Sequence, residues 1–230
     1  VNNDFGVCGA AVNYTNSSSD NCSGEIITQS TGLSSGSVFP VGATTNTFIV
    51  TDASGNTATC SFNITVTDSE NPTITCNIPV SVNNDLGSCG AVVTYSNSSS
   101  DNCSGEIITQ SAGLPSGSIF PIGTTTNTFV VTDASSNTAT CSFDITVTDN
   151  ENPTITCNTS ISVNNDLGIC GAVVTYSNSS SDNCSGELIA QTSGLASGSS
   201  FPVGTTTNTF VVTDASGNTS TCSFDVTVID

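Results

Sequence analysis

The sequence contains no lysine, arginine or histidine and no tryptophan or methionine, against 19 aspartates and glutamates, for a net charge of −19 over 230 residues. An average soluble domain is about a quarter charged, with both signs present. Without side-chain cations there is no surface salt bridge, no phosphate clamp and no tryptic cleavage site. A nucleic-acid partner is excluded on the same ground, because neutralisation of phosphates by Lys and Arg supplies most of that affinity. Adsorption to anionic headgroups is disfavoured too, and no apolar run approaches the ~20 residues a spanning helix needs, so no membrane insertion is expected. Neither a signal peptide nor a cell-wall sorting signal is visible. With no His and no CxxC spacing, a zinc site has nothing to build on. Acid–base chemistry is left to carboxylates and to Tyr14, Tyr95 and Tyr176. A carboxylate pair can hydrolyse glycosides, but nothing marks a cleft, and the chain is expected not to be an enzyme.

What is present is a β vocabulary. Hydrophobic residues make up 35% of the chain, mostly Val, Ile and Phe in short alternating runs, with Thr, Ser, Asn and Gly between them. β-Branched residues suit strands; Gly, Asn and Asp suit turns. Eleven regularly spaced cysteines imply an oxidising compartment, hence a secreted or cell-surface chain.

An internal repeat sets the organisation. VNNDFGVCGA at Val1 returns as VNNDLGSCGA at Val82 and VNNDLGICGA at Val163, a period of 81 residues. Residues 82–149 and 163–230 differ at 12 of 68 positions, mostly by conservative swaps such as Ile107 to Leu188. No copy gains a residue type with new chemistry, so every copy is expected to do the same thing. The repeats divide the chain into domains 1–68, 69–149 and 150–230, the first reading as a copy without its first strand.

The middle copy predicts strands over 73–82, 91–96, 106–111, near Ile119 and Phe120, over 126–132 and over 138–148. Turns or polar loops fall at 83–87, 97–102, 113–118 and 133–137. In 138–148, Cys141, Phe143, Ile145 and Val147 alternate with Ser142, Asp144, Thr146 and Thr148, giving one buried and one wet face. Six or seven short strands in about 80 residues predict an all-β antiparallel sandwich. So small a core usually needs disulfides.

The motif NPTITC followed by TFVVTDASSNTATCSFDITVTD resembles the hyalin repeat, or HYR domain, an immunoglobulin-like extracellular module. Most of the signal lies in GSIFPIGTTTNTFVVTDASSNTATCSF at 117–143, with counterparts beginning at Gly36 and Gly198. The resemblance covers essentially the whole chain. It implies tandem immunoglobulin-like domains in adhesion or extracellular scaffolding, with no enzymatic activity. Near-identical Ser-, Thr- and Asn-rich copies also resemble large surface adhesins of marine or gliding bacteria.

Each full repeat carries four cysteines: Cys76, Cys89, Cys103 and Cys141, then Cys157, Cys170, Cys184 and Cys222. The first carries Cys8, Cys22 and Cys60; a fourth would fall six residues before Val1. Four cysteines allow three connectivities, and sequence does not choose among them. Simpler family members keep only the counterparts of Cys76 and Cys141. The resemblance therefore implies Cys76 with Cys141 and Cys157 with Cys222, leaving Cys89 with Cys103, Cys170 with Cys184 and Cys8 with Cys22. Cys60 would then find its partner upstream or in a neighbouring chain. A rival scheme joins Cys103 to Cys141 within a repeat and Cys89 to Cys157 between repeats, leaving Cys170 unpaired.

The linkers read TDSENPTI and TDNENPTI, similar to the acidic, amide-rich linkers of cadherins, where adjoining domains share calcium. Calcium takes six to eight hard oxygens. Candidates are Asp68, Glu70, Asn71, Asp101 and Asp133 at one linker, and Asp149, Glu151, Asn152, Asp182 and Asp214 at the next. The competing reading makes these acids turn formers and solubilising charges, and Asp101 and Asp133 in particular turn caps. Both readings stand open on sequence alone. N-x-[ST] matches at Asn13, Asn16, Asn63, Asn97, Asn158, Asn178 and Asn218 are expected by chance in so Asn-, Ser- and Thr-rich a chain.

The expectation is a structural or adhesive extracellular stalk or filament whose partners are copies of itself or neighbouring repeats. Two rivals are a self-assembling subunit completed by strand exchange and a module binding surface glycans or proteins. The second calls for variation between copies at one exposed loop, and there is little.

Overall fold

A computed structural model describes every residue, Val1–Asp230. The chain packs as two compact units: Val1–Ile78 with Ser96–Gly113 and Asn127–Phe143, and Pro79–Tyr95 with Leu114–Thr126 and Asp144–Asp230. The first repeat lies wholly in one unit and the third wholly in the other. All regular structure is strand.

In the third repeat, a four-stranded sheet runs in the order Ile161–Asn164, Thr219–Ile229, Gly204–Thr213, Leu188–Ser193. Two short pairs complete the sandwich, Gly171–Val173 with Ser200–Pro202 and Thr154–Thr156 with Ser179–Ser181. The core takes Ala172 and Phe201 from a short pair and Phe210, Phe224, Val226 and Val228 from the long strands. Phe224, Val226 and Val228 are buried while the intervening Asp225 and Thr227 are not, as the period-two pattern requires. Each such side chain contributes roughly 1.5–3 kcal/mol of burial. Tyr176 meets Phe224 edge to face at 5.0 Å between ring centroids and donates its hydroxyl to the carbonyl of Leu195.

The first repeat repeats this plan on a smaller core of Ala10, Phe39 and Val66. Its main sheet has three strands, Ile26–Thr31, Gly42–Thr51 and Thr57–Val66.

The strand expected over 91–96 is only Gly90–Val92, and two further strand expectations change. The single strand over 73–82 is two pieces: Thr73–Thr75 runs antiparallel to Ser98–Ser100, and Val80–Asn83 runs parallel to Thr138–Thr148. Pro79 sits in the gap, but the third copy breaks at the same place with Thr159 and Ser160 there. The break therefore comes from the strand changing partners, not from proline. This pair is also the one parallel pairing of each complete repeat. The second change is Ser98–Ser100, expected in a loop: a Ser-Ser-Ser run has no alternation to read, and its pairing is set by Thr73, whose hydroxyl donates to the Ser100 carbonyl at 3.0 Å.

One buried polar group had no sequence signal. Asn208 is fully buried within a Thr-rich strand; its Oδ1 accepts the Leu195 N–H at 2.9 Å and the Gln191 side-chain N–H at 3.1 Å. Asn46 does the same for Leu33 and Gln29. Gly194, at φ +90°, lies so close that an added Cβ would fall 2.1 Å from Asn208 Oδ1.

Candidate functional site at the repeat junctions

The cysteines reveal the junctions. Cys76 is bonded to Cys141 and Cys157 to Cys222, each within one repeat. The others depart from the expected scheme and from its rival. Cys8 is bonded to Cys103 and Cys89 to Cys184, both across a repeat boundary, both 95 residues apart in sequence and 4.9 Å apart at Cα. Cys89 is thus not joined to Cys103, nor Cys170 to Cys184, nor Cys8 to Cys22; Cys22, Cys60 and Cys170 are exposed free thiols.

The physical reason is where the fold puts each loop. Cys103 follows Asp101-Asn102, and Asn102 donates its amide to the Val7 carbonyl at 3.2 Å, so this loop faces the preceding repeat. Cys89 follows the turn at Gly87, whose N–H donates to Glu151 Oε1 at 2.7 Å, so that turn faces the following linker. Asn183 repeats the Asn102 contact, donating to the Ser88 carbonyl at 3.1 Å.

Of the candidate metal ligands, the structure brings together Asp68 with Asp101 and Asp149 with Asp182; in each pair, carboxylate oxygens lie within 4.8 Å. The sulfurs beside them, of Cys103 and Cys184, are spent in disulfides. Asp68 is 3% exposed, and its Oδ2 is buried with no hydrogen-bond partner, as are Asn102 Oδ1 and Asp182 Oδ1. Two such charges repel by roughly 3–4 kcal/mol at an effective dielectric of about 20, and the chain has no cationic side chain to offset them. Orphaned hard oxygens beside paired carboxylates are a donor set that fits calcium.

The other candidates are otherwise engaged. Asp133 caps its own turn, accepting the Ser135 and Asn137 N–H groups at Oδ1 and the Asn137 amide at Oδ2. Asp214 does the same with Ser216 and Asn218. Burial, the largest influence on the Asp214 carboxyl, works against its charge, but hydrogen bonds from Asn218, Gly217 and Ser216 outweigh it and hold its pKa below the ordinary 3.8. Asp52 is lowered likewise, chiefly by the Asn56 side chain. These turns still serve the junction, because Asn137 and Asn218 also donate to the carbonyls of Asp68 and Asp149. Glu70 and Glu151 accept backbone N–H groups of Gly6 and Gly87. Asn71 is exposed, and Asn152 lines a shallow recess with Glu151 and Asp182.

A family model described as the HYR domain matches residues 2–66, 67–147 and 148–228. Hyalin of Strongylocentrotus purpuratus is 33% identical over 232 residues, covering 97% of this chain and 19% of that protein. Hyalin of Lytechinus variegatus is 31% identical over 234 residues, covering 99% and 44%. The chain therefore spans less than half the length of either relative. Among solved structures, Drosophila N-cadherin EC1-3 superposes with a TM-score of 0.39 at 12% identity, covering 100% of this chain and 97% of that one. Mouse Cadherin-23 EC22-24 gives 0.37 at 14%, covering 100% and 94%.

Proposed function

The chain belongs to the HYR domain family, and from that premise we propose that it is a non-enzymatic, load-bearing segment of an adhesive extracellular stalk or filament. One module corresponds to each repeat, with boundaries near 68/69 and 149/150. The observation that carries the reading is the pair of disulfides crossing the repeat boundaries, Cys8 to Cys103 and Cys89 to Cys184. A bond between modules adds nothing to a ligand site, but it fixes each linker and carries tension past it. The second bond of each complete repeat, Cys76 to Cys141 or Cys157 to Cys222, limits how far a module can extend if it opens.

Calcium completes this proposal. Asp68 with Asp101, and Asp149 with Asp182, would hold it beside the inter-repeat disulfides. The ion would supply the positive charge that the sequence lacks, and the orphaned oxygens of Asp68, Asn102 and Asp182 favour it.

Electron microscopy of the native secreted material in millimolar calcium, with and without reductant, tests the reading. Continuous fibres with a regular module repeat that become kinked or flexible on reduction are expected. Short isolated particles under both conditions would overturn it.

A further inference from the structure

Three consecutive residues hold each junction in three different ways. In Asp101-Asn102-Cys103, the cysteine is bonded to Cys8. The asparagine donates its amide to the Val7 carbonyl at 3.2 Å and to Asp68 Oδ1 at 3.4 Å. The aspartate brings its carboxylate up to that of Asp68: one oxygen of each and the Cys103 sulfur lie within 4.8 Å of one another. The Cys103 N–H also donates to Asp101 Oδ2 at 3.1 Å, so this carboxylate is tied to the backbone of the bonded cysteine. Asp68 is buried, and its Oδ2 points into the cluster with no hydrogen-bond partner. Asp182-Asn183-Cys184 repeats the arrangement beside Asp149, with Cys184 bonded to Cys89 and its N–H on Asp182 Oδ2 at 3.0 Å. The disulfides within repeats, Cys76 to Cys141 and Cys157 to Cys222, lie in no such cluster.

Resting on the calcium reading, we infer that each inter-repeat disulfide and the carboxylate pair beside it form one linked device. The disulfide sets calcium affinity, and calcium protects that disulfide, and not those within repeats, against thiol reductants. The ion needs two like charges held together before it arrives. While Cys8 is bonded to Cys103, a covalent bond holds them so. Once it is cut, the Asp101 loop is retained by hydrogen bonds of Asn102 with Val7 and Asp68 and of Asn137 with Asp68. These are neutral donors set against the repulsion of two close carboxylates. Reduction therefore frees the pair to part, and calcium affinity falls. Linkage makes the coupling reciprocal: the factor by which the disulfide raises affinity is the factor by which calcium shifts the oxidised-to-reduced ratio. The reductant has a point of entry, because Cys8 and Cys89 are exposed while Cys103 and Cys184 are buried. A small thiolate attacks the Cys8 sulfur, and Cys103 leaves as its thiolate and takes up a proton. A second small thiolate resolves the mixed disulfide, releasing Cys8 and the oxidised small-thiol dimer. Two small thiols are oxidised as one protein disulfide is reduced.

The test uses the intact chain with its exposed thiols, Cys22, Cys60 and Cys170, alkylated beforehand. It is equilibrated in glutathione redox buffers with millimolar calcium or with chelator, then quenched with a second alkylating label. Mass spectrometry of a chymotryptic digest reads each of the four bonds separately. Calcium should shift the glutathione ratio at half-reduction on the order of tenfold for Cys8–Cys103 and Cys89–Cys184. Cys76–Cys141 and Cys157–Cys222 should stay where they are. Asp68→Asn with Asp101→Asn should abolish the shift at Cys8–Cys103 and leave it at Cys89–Cys184. Conversely, Cys8→Ser with Cys103→Ser should weaken terbium binding on the order of tenfold, measured in a chain whose second junction is silenced by Asp149→Asn and Asp182→Asn. Terbium binding with no calcium shift at the inter-repeat bonds, or an equal shift at all four, would overturn the inference and leave the calcium reading standing. A parent chain that binds no terbium would sink that reading, and this inference with it.

Discussion

Cys89 and Cys184 are 95 residues apart in sequence, belong to different repeats, and meet with their Cα atoms 4.9 Å apart. The same relationship joins Cys8 to Cys103, so the chain is stapled at every junction it contains. Closing a loop of that length stabilises by about 4–5 kcal/mol in the chain-entropy model. The loop here also encloses other crosslinks, which shortens the effective ring.

Replacing Cys89 and Cys184 together by serine should therefore lower stability by about 2–4 kcal/mol. Denaturant unfolding compared with the parent chain checks the size of the loss. A non-reducing peptide map, using a protease other than trypsin, should recover Cys8 linked to Cys103 and Cys89 linked to Cys184 in the parent.

Gly194→Ala is expected to be among the most damaging single substitutions. Its φ of +90° is costly for any side chain, and the new Cβ would collide with Asn208 Oδ1. That oxygen cannot retreat without giving up the Leu195 N–H. A loss of about 2–4 kcal/mol in chemical denaturation is expected; a loss below about 0.5 kcal/mol, the size of an ordinary surface change, would contradict the packing described.

Ser136→Gly should act in the other direction. Ser136 is the one non-glycine residue with positive φ, at 74°, and the equivalent turns carry Gly55 and Gly217. Restoring glycine relieves about 1 kcal/mol of backbone strain, visible as a higher midpoint in thermal or urea unfolding.

The turn carboxylates set an acid limit. Asp214 and Asp52 are held below 3.8 in the folded chain. A group lowered on folding contributes stability that is complete above its unfolded value, about 3.9, and is lost as pH falls through the lower folded value. Amide exchange at Ser216 and Asn218 should therefore accelerate only below about pH 4, and Asp214→Asn should remove most of that dependence.

Calcium should raise the thermal midpoint of the chain, and Asp149→Asn with Asp182→Asn should remove the part owed to the second junction. Terbium luminescence titrated against calcium reads binding directly. A chain that neither binds terbium nor shifts its midpoint in millimolar calcium would sink the calcium half of the proposal.

Much of the fold was legible in the residues. Alternation of Phe224, Val226 and Val228 with polar neighbours needs only the two-residue strand period, and the 81-residue repeat carries that pattern to every copy. The turn at Asp214 is equally local, because a short carboxylate reaches the backbone N–H groups two and four residues on. Tertiary structure alone decided the rest. Ser98–Ser100 is a strand because Thr73–Thr75 lies against it, and Asn208 is buried because Gly194 and Gln191 close over it. The partner of Cys89 was settled in the same way. Four cysteines per repeat are compatible with several pairings, and only the fold places the turn after Gly87 beside one linker and the loop after Asn102 beside the other. Local periodicity fixes which face of a strand is buried. Which distant loops meet depends on how the chain returns, and no short stretch of sequence encodes that.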